Sequence, residues 1–360
     1  MDPGTRNASL VAAWLALLGS LALGLSLAKV RFRGWQEARP QARVSAEARP
    51  QSRAPSSPPA VLEALGHFPA GPVTYDLEVR GRLYAGGRVS DDGGRSFRPL
   101  QDSAGRGALP LRRRWLRAAA GPGGRLLFGE VLFEEPRVAT GLGTFAHAVE
   151  WRDGGWTTLV SDDEERWPAD GGPRLLVCGL GYLPDGTSVV ATAEEVRFGD
   201  GRRLQPPPGL RRLLVARNGD LYAAAGDSAS FGLYVATSDT PSFLPVAGVG
   251  RVEALDEGVG GVVFLALGGR LGRGARRQWQ WTDTSIAMSV EQLAAHPRAP
   301  LLAAWGRGAL AVGRDERTLV VCRLGDLEVQ WAAWDPFATD RLTLVSPRGD
   351  AYLLKLGSLR

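Results

Sequence analysis

Side chains that carry chemistry are scarce in this chain of 360 residues. There are three histidines, His67, His147 and His296, and none has a partner at metal-ligand spacing, so no metal site is expected. The two cysteines, Cys178 and Cys322, stand 144 residues apart inside apolar runs. Burial as small hydrophobes is the expectation for both, and spacing alone does not tell whether they pair. No phosphate-cradling glycine motif opens a helix, and no Gly-x-Ser-x-Gly elbow occurs. No cofactor and no catalytic residue is assigned. Lysine is nearly missing: of 43 basic residues only Lys29 and Lys355 are lysine, a compositional bias with no chemistry implied.

Excess charge is also missing from most of the chain. The formal net charge is +5, but residues 1–60 hold eight basic and three acidic residues, which leaves 35 of each in 61–360. A nucleic-acid-binding domain carries its excess on its own surface, so nucleic acid is not an expected partner.

Long apolar runs are absent except for one. Residues 8–28, ASLVAAWLALLGSLALGLSLA, contain no charge, and as a helix they span about 30 Å, enough for a bilayer core. After a short tail (1–7), this segment reads as an uncleaved transmembrane anchor, with a cleaved signal peptide as the competitor. Lys29, Arg31, Arg33, Arg39 and Arg43 follow it, which by the positive-inside rule places the body in the cytoplasm. The expected location is therefore a single-pass protein of the plasma (inner) membrane, with the side left open for the reason given below. Residues 29–60 are basic and rich in Pro, Ala and Arg; from 37 on they lack apolar periodicity and read as a linker.

What is plentiful is glycine, 47 residues, with 24 prolines, set between short apolar runs. That favours a turn-rich all-β fold. From residue 61 onward, a glycine followed by an apolar run recurs at Gly81, Gly124, Gly186, Gly219, Gly261, Gly308 and Gly349. A period of about 45 residues is that of four-stranded propeller blades, which cover one another's faces by stacking radially. Seven blades over 61–360 are expected, with six as the alternative. The last unit shows only two strands before the chain ends, and the stretch near Val61–Pro72 is the candidate to complete it. His296-Pro297 and Asp335-Pro336 resemble the inter-blade corner of WD40- and YVTN-type propellers. The segments Phe133–Thr144 and Ser161–Trp167 read as insertions on one rim, where binding function often sits.

Ser90-x-Asp92-x-Gly94-x-Ser96-Phe97 resembles the Asp-box, or BNR repeat, of sialidases, sortilin-type receptors and photosystem II assembly factors. The resemblance covers eight residues; Thr237–Phe243 and Arg152–Trp156 are degenerate echoes. Its spacing has a local reason: the carboxylate accepts N–H groups of its own turn and the glycine supplies a positive φ. In that family the box is a structural turn remote from the active site. Propellers carrying it are more often found outside the cytoplasm, which conflicts with the charge rule above.

A sialidase-like site would need three arginines, a tyrosine–glutamate pair and an acidic proton donor. The family's early Phe/Tyr-Arg-Ile-Pro motif is absent, and Tyr84, Tyr222 and Tyr352 share one repeat position, which reads as packing. Arg112, Arg113, Arg114 and Arg117 form a candidate patch for an anionic partner, with a solvated strand edge as the plainer account. The acidic run Asp162–Glu165 is its candidate complement, with a solvated loop as the alternative. The expectation is a membrane-tethered, non-catalytic propeller that binds a protein partner through loops on one face. The alternative is a divergent carbohydrate-active propeller, with carbohydrate as its ligand.

Overall fold

The computed structural model describes residues 60–69, 71–100, 113–133, 144–161, 177–226, 231–267, 270–283, 288–306, 308–322, 324 and 327–357. The anchor and linker segments, the tip of the insertion after Phe133, the acidic run Asp162–Glu165 and Arg112 lie outside them. Among the described residues no helix is long and apolar enough to cross a membrane.

The chain is all-β, a propeller of seven four-stranded antiparallel sheets. The strand β1 (Ala60–His67) comes first and belongs to the last blade. Blade one is β2 (Val73–Tyr75), β3 (Leu83–Ala85), β4 (Arg88–Ser90) and β5 (Arg98–Pro99); blade two is β6 (Arg113–Ala120), β7 (Leu126–Phe133), β8 (Thr144–Arg152) and β9 (Gly155–Ser161). Blade three is β10 (Gly179–Tyr182), β11 (Ser188–Ala191), β12 (Val196–Phe198) and β13 (Arg203–Leu204). Blade four is β14 (Leu210–Val215), β15 (Leu221–Gly226), β16 (Phe231–Thr237) and β17 (Thr240–Pro245). Blade five is β18 (Ala254–Glu257), β19 (Val263–Leu267), β20 (Arg270–Ala275) and β21 (Gln278–Asp283). Blade six is β22 (Gln292–Ala295), β23 (Leu302–Gly306), β24 (Ala309–Gly313) and β25 (Val320–Cys322). Blade seven is β26 (Trp331–Trp334), β27 (Arg341–Val345) and β28 (Asp350–Leu356), completed by β1.

Blade seven therefore contributes three strands of its own, one more than the sequence suggested, and the strand before residue 68 supplies the fourth. β1 pairs antiparallel with β28 from Ala60↔Leu356 to His67↔Asp350, with a bulge between Ala64 and Gly66. This joins the two ends of the described chain in one sheet and removes the open edge that β28 would present.

The glycine series needs a correction of register. Gly81, Gly124, Gly186, Gly219 and Gly261 lie between the first and second strands of blades one to five, with φ from +70° to +88°. Gly308 and Gly349 instead lie between the second and third strands of blades six and seven. Either turn can demand a positive φ, and glycine meets both demands, so the spacing alone does not say which turn a glycine occupies. Tyr352 accordingly sits on a third strand, whereas Tyr84 and Tyr222 share a place on second strands. In blades six and seven the first turn is the corner His296-Pro297 or Asp335-Pro336. His296 is fully buried and its Nδ1 accepts N–H bonds from Arg298 and Ala299, both 3.0 Å. Asp335 Oδ1 accepts the Phe337 N–H at 2.9 Å. Each side chain stands in for the backbone acceptor that the turn lacks.

Seven apolar clusters fill the seven blade-to-blade interfaces in turn. One joins Val345 and Ala351 of blade seven to Val73, Tyr75 and Leu83 of blade one, and the next joins Tyr84 and Val89 to Leu126, Phe128 and Val149 of blade two. The others continue around the ring, between blades two and three, three and four, four and five, five and six, and six and seven. Each fully buried leucine of the kind at Leu83, Leu126 or Leu302 contributes about 1.5–3 kcal/mol relative to exposure. Cys178 and Cys322 remain thiols, one in the interface of blades three and four and the other at that of six and seven.

Candidate binding site on the propeller axis

The first strand of each blade lies nearest the axis, so all seven begin at one rim and end at the other. At the rim where they end, turns hydrogen-bond across the ring. Arg217 Nη1 donates to Pro297 O at 2.7 Å, linking blades four and six. Arg298 Nη2 donates to Leu77 O, linking six and one, and the Gly123 N–H donates to Glu78 Oε2 at 3.1 Å, linking two and one. Toward the other rim the axis holds a cavity of about 700 Å³. Two smaller depressions, about 360 and 370 Å³, lie between neighbouring blades at the tied rim, away from the axis.

The axial cavity is lined by side chains of the first strands, among them Arg117 of β6, Arg212 of β14, Asp256 of β18, Gln292 of β22 and Trp331 of β26. Both arginines follow a β-bulge: the register of β6 against β7 shifts between Trp115 and Arg117, and that of β14 against β15 between Leu210 and Arg212. A bulge inserts one extra residue and re-aims the side chains after it. Arg117 Nε donates to Val177 O at 3.0 Å, the chain entering blade three. Arg212 reaches past blade five, its Nη1 donating to Gln292 Oε1 at 3.0 Å and its Nη2 to Glu291 O at 3.4 Å. Among the described residues neither guanidinium has a carboxylate at ion-pair distance.

Burial draws both guanidiniums below their ordinary range. For Arg212 burial is the largest cause and the Arg117 charge the next, ahead of the opposing pull of Glu253 and Glu291, and together they bring it to about 10. A guanidinium stays protonated in proteins, so both arginines are cations at neutral pH, and they act on one another as like charges. Asp256 is surrounded by protein yet keeps some contact with the cavity. Its Oδ1 accepts the Glu257 N–H at 2.9 Å and its Oδ2 the Ala295 N–H at 2.6 Å, which ties blade five to blade six. Burial pushes its carboxyl up to about 6, against the effect of those two bonds. Two wall residues bury polar atoms that have no hydrogen-bond partner among the described residues, Trp305 Nε1 and Gln330 Oε1.

The candidate patch thus divides. Arg117 is on the cavity wall, Arg113 and Arg114 lie on the same strand, and Arg112 lies outside the described residues. β6 is an edge strand of its sheet, and that edge faces the axis. Sequence reasoning misses Arg212 and Asp256. Their only signal is charge inside apolar first strands, as in Leu210-Arg211-Arg212-Leu213, once the strand's place in its blade is known. A sialidase-like set is not assembled here, because no tyrosine is among the described residues lining the cavity.

The turn Ser90–Phe97 joins β4 to β5 on the opposite, tied rim. Asp92 Oδ1 accepts from Ser90 Oγ (2.7 Å) and from the N–H groups of Arg95 and Ser96 (2.9 Å each), and Oδ2 accepts from Ser96 Oγ (2.6 Å). These bonds, those from the Ser96 and Ser90 hydroxyls foremost, hold its carboxyl far below the usual carboxylate range. Ser90 Oγ accepts the Gly94 N–H at 2.8 Å. Phe97 packs edge-on against Phe68, ring centres 4.8 Å apart. The echoes at Thr237–Phe243 and Arg152–Trp156 occupy the same third-to-fourth turn of blades four and two.

No protein-family model matches the chain, and no curated protein matches it. The Asp-box resemblance therefore rests on the turn's own residues. Solved structures do match. Virginiamycin B lyase from Staphylococcus aureus is 11% identical, with 83% of this chain and all of that one covered and a TM-score of 0.58. A GH74 xyloglucanase from Xanthomonas campestris is 17% identical over 83% of this chain and 54% of that one, at a TM-score of 0.55. YCF48, solved bound to D1 peptide, is 14% identical over 83% and 95%, also at 0.55. The likeness is one of fold. It corrects one expectation: a non-enzyme was expected, yet a lyase and a xyloglucanase are among the propellers this chain matches. The fold hosts catalysis as well as peptide binding, so it decides neither.

Proposed function

We propose that this chain is a membrane-tethered propeller that recognises a protein partner at the rim where the axial cavity opens. The observation that carries the reading is the pair Arg117 and Arg212, two cations on one cavity wall with no carboxylate partner among the described residues. Holding two like charges under low dielectric is costly, and an anionic group from a partner relieves that cost. The rigid ring suits this role, because side chains on packed strands are positioned more closely than those on loops. Among propellers of this shape, YCF48 was solved with a peptide bound. The tether is proposed on the uncharged run 8–28 alone, and residue 29 onward would remain with the soluble fraction if it were removed.

The test is site-specific photocrosslinking in cells. Ala193 is exposed at the cavity mouth, between β11 and β12, and Asp185 stands on the opposite rim. A photoreactive residue at 193 should capture a discrete partner, while one at 185 should not. Capture from 185 alone would refute the assignment of the face.

A further inference from the structure

Resting on that reading of the face, we propose that the group entering the cavity is the free C-terminal carboxylate of a peptide, gripped between Arg117 and Arg212. A guanidinium is a planar fork whose paired N–H groups match a carboxylate. Among the described residues Arg117 spends only Nε, on Val177 O, which leaves both terminal nitrogens to donate. Arg212 spends one bond from each terminal nitrogen, on Gln292 and on the Glu291 carbonyl, which leaves Nε and one N–H on each. Two bulges in first strands of two different blades place these forks on one cavity wall. A single bulged arginine is a local accident; two that line the same cavity form a built site.

A phosphate would satisfy the same forks, so the rest of the wall decides. Phosphate brings charge and acceptors and offers the wall no N–H. The wall contains Gln330 Oε1, a buried acceptor without a partner, and Asp256, which would repel a dianion. A peptide end brings one negative charge together with backbone N–H groups that Gln330 can accept after a small side-chain rotation. Leu214, Leu255, Leu293 and Trp331 supply the apolar surface for its last side chains. The volume of about 700 Å³ falls in the range of ligand pockets and admits a few residues.

The experiment is isothermal titration of the full chain with three probes. These are a pool of N-acetylated tripeptides with free C-termini, the same pool as C-terminal amides, and inorganic phosphate. The acid pool should bind at least about tenfold more tightly than the amide pool. R117Q and R212Q should each weaken it about 10- to 100-fold, the worth of a charged hydrogen bond to a buried site. R212K, which keeps the charge and loses the fork, should fall between, and circular dichroism checks that each variant is folded. Equal binding of acid and amide, indifference to both arginine variants, or no heat from the acid pool would each overturn the proposal. Tightest binding by phosphate would replace the peptide end with a free anion. If the carboxylate fails while crosslinking at 193 still captures a partner, this inference falls and the assignment of the face stands.

Discussion

Replacing Gly94 with alanine should cost about 2–5 kcal/mol, and the origin of that cost can be isolated. Gly94 has φ of +95°, and a Cβ there would lie 2.4 Å from Phe68 Cζ and 3.0 Å from Leu83 Cδ2. Forcing an L-residue into left-handed backbone costs about 1–2 kcal/mol, and overpacking a close-packed site adds about 1–3 kcal/mol. Phe68 has no room to retreat. It is 1% exposed, it touches Phe97, and its N–H donates to Gly349 O at 2.8 Å, where the closing strand ends. Gly93 provides the control, since it has φ of +74° and a Cβ added there would meet nothing within 4 Å. Gly93→Ala should therefore show the backbone cost alone, and the gain from a stiffer unfolded chain is the same for both. Urea unfolding measures the difference as a shift in midpoint at unchanged slope. A double-mutant cycle then tests the contact: with Phe68→Ala in place, Gly94→Ala should cost no more than Gly93→Ala. Equal midpoints for the two single alanine variants would refute the claim that this turn locks the seam between blades seven and one.

Three further outcomes follow from the same interactions. Asp92 is held far below the usual carboxylate range by hydroxyl and backbone donors, so its stabilisation is present above about pH 4 and is lost as pH falls below that. Thermal melts of D92N should accordingly vary less with pH between 4 and 2 than those of the wild type, and parallel curves would contradict this. Asp256 is raised to about 6, chiefly by burial. The folded state then holds its proton more firmly than the unfolded state, and stability falls as pH climbs from about 4 to about 6. A carboxyl NMR titration should find its midpoint near 6, and a value below 4 would remove this group as a source of pH dependence. Tyr84 is 3% exposed and its hydroxyl donates to the buried Asp76 Oδ2 at 2.8 Å. Tyr84→Phe should lower unfolding free energy by about 1–3 kcal/mol because it leaves that carboxylate short of a donor, and a neutral variant would show that solvent reaches Asp76.

The ring was legible because its causes are local and repeated. A blade needs turns that accept a positive φ, and glycine answers that need wherever it arises, so a glycine before an apolar run marks a blade even when the turn is misassigned. Gly308 and Gly349 show how the count survived the error: both slipped by one turn, in adjacent blades, and the number of units stayed at seven. The closing strand was legible only as a remainder, since Ala60–His67 has no feature of its own that names β28 as its partner. Of the axial site only Arg117 was legible, as part of a basic run, and the reason is geometric. Whether an arginine on a short strand faces solvent, a neighbouring blade or the axis depends on the strand's rank in its blade and on register, and one extra residue reverses the face. Trp115–Arg117 and Leu210–Arg212 contain that extra residue in both strands. Taken as composition, the run from Leu111 to Arg117 is a basic edge. With the bulge, Arg117 leaves that run and lines the same cavity as Arg212, 95 residues on. The distinctive turn at Ser90–Phe97 stands out in the sequence because its residues are neighbours, yet its hydrogen bonds close on themselves and on the seam at Phe68. The arginines have no sequence neighbours in common, and among the described residues both keep guanidinium N–H groups that bond to nothing in the protein.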